Sequence, residues 1–126
     1  MAGRDLKIIK MVLTIKNCKD LVDGLNRLNK SMDELRKKYT VLKPVVGAFV
    51  SREITHSAEG WHVHAHLIAI CDEWLPNRME DRPYPDQPPG PDNRTPLEDA
   101  WLRCTGDSFM VHTSLVRGMH WEPWED

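Results

Sequence analysis

The chain has 126 residues, 40% of them hydrophobic, and a formal net charge of -2. This suits one domain with a real core. No apolar run reaches the roughly 20 residues a membrane-spanning helix needs, and Met1-Ala2-Gly3-Arg4-Asp5 leads into no apolar signal-peptide core, so a cytoplasmic protein is expected.

Cys18, Cys71 and Cys104 are odd in number and widely spaced. That excludes a disulfide framework or a CxxC metal knuckle and points to reduced, partly buried thiols. The charge is uneven along the chain. Residues 1–56 hold twelve Lys and Arg against six Asp and Glu, and residues 57–126 hold five against thirteen. A basic half hints at a polyanion partner. Mixing of the two halves on the folded surface is the equal alternative.

In chain order, Ile8 to Lys16 is β-branched and apolar and reads as a strand. Residues 20–38 read as an amphipathic helix, because Leu21, Leu25, Leu28, Met32 and Leu35 step by four and three into one stripe. Asn17 or Asp20 can cap it. Lys30, Arg36, Lys37 and Lys38 decorate the other face, with cations in the last turn suiting the helix dipole. Val45 to Thr55 and Trp61 to Ile70 read as a second and third strand around a turn. Residues 76–96 carry seven of the nine prolines, which predicts a long loop without regular structure. Pro96 opens a short helix through Thr105 with Thr95 as cap, and Ser108 to Val116 is a fourth strand. The whole predicts an α+β domain spanning residues 1–126. Its antiparallel sheet of four to five strands carries helices mainly on one face, in a ferredoxin-like or RNA-recognition-like arrangement.

The histidines carry the chemistry. His62, His64 and His66 alternate, so a strand points all three to one face. If the loop is Ser57 to Gly60, His56 pairs with Trp61 and Glu53 falls opposite His64, with Cβ atoms roughly 5 Å apart. One carboxylate and two imidazoles then suit a divalent cation. The same register puts Val50, Arg52, Ile54, Val63, Ala65 and Leu67 on the other face, where they should receive the long helix. Beside the histidines, Phe49 falls opposite Ile68 and Gly47 opposite Ile70, an apolar floor that needs a cover. His56 reads as a turn residue, and His112 can point either way. Lys10, Lys16 and Arg52 are candidates for phosphate contact, Arg52 the weakest because it points to the helix face.

These residues carry a resemblance. Met11-Val12-Leu13-Thr14-Ile15-Lys16, the helix after it, Arg52-Glu53-Ile54-Thr55 and Gly60-Trp61-His62-Val63-His64-Ala65-His66-Leu67-Ile68 resemble plasmid rolling-circle replication initiators of the HUH endonuclease class. So do Leu97-Glu98-Asp99-Ala100-Trp101 and Thr105-Gly106-Asp107-Ser108. The resemblance covers roughly residues 8–117 apart from the proline loop, and the hairpin is its specific part. It implies nicking of single-stranded or hairpin origin DNA, with Mg²⁺ or Mn²⁺ held by Glu53, His64 and His66 and polarising the scissile phosphate. Because imidazole ligands must be neutral, cation affinity should fall as pH drops through their pKa. His62 and Thr55 are expected beside the ligands or against DNA, and Lys10 and Lys16 at phosphates.

The family's nucleophile is a tyrosine on a helix after the fourth strand. Val116 to Asp126 has none; the two tyrosines of the sequence are Tyr39 and Tyr84. Tyr84 could serve only if the proline loop folds over the sheet. The expectation is therefore a truncated initiator that keeps the metal cradle and DNA surface. The floor at Phe49 and Ile68 would then be covered by the acidic tail through Trp121 and Trp124, or by a second chain. Two rival readings remain. The pattern from His62 to Ile68 also resembles histidine-triad nucleotide hydrolases, whose middle histidine attacks phosphate without metal. Alternatively the chain is a non-catalytic DNA-binding remnant.

Overall fold

The computed structural model describes residues 4–121. Among them, β1 (Arg4–Thr14), α1 (Leu21–Lys38), β2 (Val45–Ser57), β3 (Gly60–Cys71), α2 (Pro96–Thr105) and β4 (Val111–Trp121) follow one another in the predicted order, with a single 3-10 turn (Met79–Asp81) between β3 and α2. The strands form one antiparallel sheet in the order β2-β3-β1-β4. This is a ferredoxin-like α+β arrangement, with both helices packed on one face of the sheet.

Local chemistry sets the element ends. The Asp20 carboxylate accepts from the Asp23 amide at 3.0 Å and starts α1. Thr95 and Glu98 form a reciprocal capping box at α2, with Pro96 in the first turn and Gly106 ending the helix at φ 84°. Of the α1 stripe, Leu28 and Leu35 are fully buried, while Leu21, Leu25 and Met32 pack at the margin of the core. Their partners are Met11 and Leu13 of β1, Val63, Ala65 and Leu67 of β3, and Leu97 and Trp101 of α2. Burial pushes the Cys104 thiol up to about 11, with the Glu34 carboxylate adding to it. Burial also raises the Cys71 thiol, so both stay protonated at neutral pH.

The β2–β3 hairpin closes as Ser57 pairs with Gly60 around Ala58 and Glu59. Gly60 sits at φ 110°, a region that L side chains rarely adopt. The chain just before α1 grips this turn, with Trp61 N donating to the Cys18 carbonyl at 2.7 Å and Cys18 N to that of Trp61 at 3.0 Å. A Cβ on Gly60 would lie 2.6 Å from the Cys18 carbonyl oxygen. Gly60→Ala therefore combines backbone strain with a clash against backbone and is expected to cost about 2 kcal/mol. Urea denaturation should show a lower midpoint at unchanged slope. An unchanged midpoint would mean that the turn relaxes freely.

Three sequence expectations need correction. Val50, Arg52 and Ile54 do share a face with Val63, Ala65 and Leu67, but α1 does not cover them. Val50 is 45% and Ile54 42% exposed. β2 is the edge strand, and α1 lies over β3 beside α2, where Arg27 donates to the Thr105 carbonyl at 2.8 Å. A groove of about 490 Å³ between α1 and β2 remains, spanned by Arg52 Nε donating to Asn29 Oδ1 at 2.8 Å. The fourth strand begins at Val111, not Ser108, because Ser108 is bound into the end of α2 through Thr105. His56 is a strand residue packed at a tilt against Trp61, with ring centroids 4.5 Å apart.

The proline segment is held in place. The Asn93 side chain is buried and bonds the Tyr84 amide and the carbonyls of Tyr84, Gln87 and Pro88. Arg82 reaches the Asn93 carbonyl and pairs with Glu98 of α2 in a nearly buried ion pair.

Candidate metal centre

The face opposite the helices carries the histidines. β3 alternates buried Val63, Ala65, Leu67 and Ala69 with half-exposed His62, His64 and His66. The hairpin register places Glu53 opposite His64, Ser51 opposite His66 and Thr55 opposite His62. On the other side β1 puts Thr14 opposite His64 and Val12 opposite His66. Val12 also pairs with His112, so His112 shares this face, two strands from His66. Lys10, opposite Ile68 and Ser114, lies on the same face and is exposed. Lys16 follows β1, exposed, with its amide donating to Ser108 Oγ at 3.0 Å.

Four contacts describe how the site is built. Glu53 Oε2 lies 3.7 Å from His66 Nε2, too long for a hydrogen bond. His66 Nε2 is itself buried without a hydrogen-bond partner. His64 Nδ1 and Thr14 Oγ1 are hydrogen-bonded at 3.2 Å. Thr14 is in turn fixed by α2, because the fully buried Trp101 donates from Nε1 to the Thr14 carbonyl at 2.8 Å. His62 turns toward the hairpin end, with Nε2 2.7 Å from Ser57 Oγ.

Burial holds the His64 imidazole below the ordinary histidine pKa; the Glu53 carboxylate opposes this, and His66 and His62 add to it. His64 is therefore neutral at pH 7 and its ring can donate a lone pair. Two donors bound at about 2.1 Å to one cation lie about 3–4 Å apart. The Glu53–His66 separation falls in that range, and the His66 nitrogen has no hydrogen-bond partner. Two of the three expected ligands, Glu53 and His66, therefore have a spacing that one cation could span. His64 is turned to Thr14, and among the described residues no three His, Cys, Asp or Glu side chains are placed so that they could hold a metal ion together.

Next to the site, Phe49 is 78% and Ile68 41% exposed, and they sit opposite each other as the register requires. A depression of about 620 Å³ runs along β2 past Glu53, His66 and these two residues. Trp124 and the side chain of Trp121, expected as its cover, lie outside what is described. Tyr84 hangs from Asn93 on the segment anchored to α2, and α2 packs against the opposite face of the sheet. Sequence reasoning left Thr14 without a role and His112 without a side. The signal for both was the strand pairing of β1, which the hairpin alone does not supply.

No protein-family model matches the chain, no curated protein matches its sequence, and no solved structure matches it. No helix among the described residues is long and apolar enough to cross a membrane.

Proposed function

We propose that the histidine face binds single-stranded or hairpin DNA around a Mg²⁺ or Mn²⁺ ion, in the manner of a rolling-circle replication initiator of the HUH class. One observation carries the reading. Glu53, His64 and His66 lie on neighbouring strands of the uncovered face, with the His66 nitrogen buried, unpartnered and 3.7 Å from the Glu53 carboxylate. In this reading Glu53, His64 and His66 hold the ion, which when bound supplies positive charge against a phosphate. Lys10 and Lys16 contact further phosphates, and His62 and Thr55 border the DNA path. Phe49 offers an exposed ring on which a base can stack. The reading carries a cytoplasmic location with it. Tyr84, tied to the α2 side, is not assigned as a nucleophile, so DNA is held without a covalent link.

The test is incubation with Mn²⁺ and a labelled hairpin oligonucleotide, followed by native and denaturing electrophoresis. A retarded band that needs Mn²⁺, fades in Glu53→Ala and disappears on denaturation is the expected result. An adduct that survives denaturation would make Tyr39 or Tyr84 a nucleophile. Absence of any Mn²⁺-dependent retardation would overturn the reading.

A further inference from the structure

We infer that Thr14 is a positioning residue for the metal centre: its hydroxyl accepts from His64 Nδ1–H and so leaves the lone pair on Nε2. The inference rests on the metal reading of the histidine face. It also reaches into the core, because the contact that fixes Thr14 comes from α2.

Thr14 is pinned on three sides. Its amide donates to the Met110 carbonyl at 3.3 Å, its carbonyl accepts from Trp101 Nε1 at 2.8 Å, and its hydroxyl meets His64 Nδ1 at 3.2 Å. It is the last residue of β1 and directly opposes His64 across the pair. As a β-branched residue it has few χ1 choices, so its hydroxyl is presented at a fixed point. An imidazole with Nδ1–H donated to a neighbour has Nε2 free as the donor atom. The opposite tautomer places a proton on Nε2 and blocks ligation there. Outer partners of this kind set the tautomer and ring orientation of metal-binding histidines, and their loss weakens affinity about 10- to 100-fold. On His66 the nitrogen that faces Glu53 is Nε2, which is buried and without a hydrogen-bond partner.

The experiment uses the full chain labelled with ¹⁵N, free of metal at pH 8, in wild type, Thr14→Val and Thr14→Ser. Long-range ¹H–¹⁵N correlation reads the His64 tautomer, assigned by the signals that vanish in His64→Gln. Mn²⁺ titration followed by electron paramagnetic resonance reads affinity, and thermal unfolding reads stability. Wild type and Thr14→Ser should show the Nδ1–H form and Mn²⁺ affinities within threefold of each other. Thr14→Val keeps the shape and the strand preference, and should shift His64 toward Nε2–H and bind Mn²⁺ about tenfold more weakly. An Nε2–H tautomer in the wild type overturns the proposal, as does Thr14→Val with wild-type tautomer and affinity. Should the wild type bind no Mn²⁺, the metal reading falls by itself, and the tautomer of His64 still decides the part played by Thr14. Should Thr14→Val fail to fold, the wild-type and Thr14→Ser spectra decide it.

Discussion

Trp101→Ala is expected to lower the unfolding free energy by about 3–5 kcal/mol, a large share of the roughly 5–15 kcal/mol that holds a domain of this size together. Trp101 is fully buried and contributes the largest side chain among the completely covered residues. It sits in the same cluster as Met11, Leu13, Leu97 and Ala100, so its removal leaves a cavity under the centre of the sheet. The substitution also takes away the donor that satisfies the Thr14 carbonyl. Trp101→Phe separates the two effects. It refills much of the volume but strands the carbonyl, for an expected cost of about 1–3 kcal/mol. Urea unfolding of the two variants measures both numbers. A loss below about 1 kcal/mol in Trp101→Ala would mean that α2 is not a core element, and the tie between α2 and the histidine face would go with it.

Much of this architecture can be read from local pattern. The capping box at Thr95 and Glu98, with Gly106 ending the turn, fixes α2 to the residue. A two-residue turn leaves one register for β2 and β3, and that register alone sets Glu53 opposite His64 and Phe49 opposite Ile68. What local pattern does not hold is the placement of one element across another. α1 has an apolar stripe wide enough to cover any strand, and nothing in its spacing says that it lies over β3 and leaves Val50 and Ile54 open. The pairing of β1 is likewise non-local: Thr14 meets His64 from fifty residues away. The bulge between Ile8 and Ile9 shifts the β4 register in a way that no turn signal announces. The proline segment misleads in the opposite direction. Its composition forbids a long helix or strand, yet one buried asparagine side chain orders it from Tyr84 to Pro88.

His66→Leu should reverse the order of stability between metal-free and metal-loaded protein. In the wild type His66 Nε2 is buried and unpaired, and a polar atom in that state costs about 1–3 kcal/mol. Leucine has similar bulk and no such atom, so in EDTA the variant should be about 1 kcal/mol more stable than the wild type. With Mn²⁺ at a hundred times the dissociation constant, the wild type gains about 2.7 kcal/mol by mass action. The variant has lost one of three donors and gains little, so the wild type then overtakes it. Such a reversal is what a ligand-binding residue produces when the fold tolerates a local cost for it. Glu53 supplies the control. Its side chain is more than half exposed, so Glu53→Gln should leave the metal-free stability unchanged and lose only the Mn²⁺ increment. Thermal unfolding of the three proteins at pH 8, with EDTA and with Mn²⁺, gives all six values. If His66→Leu ranks the same against the wild type in both conditions, the buried nitrogen is not held for a cation, and the proposed centre loses its central donor.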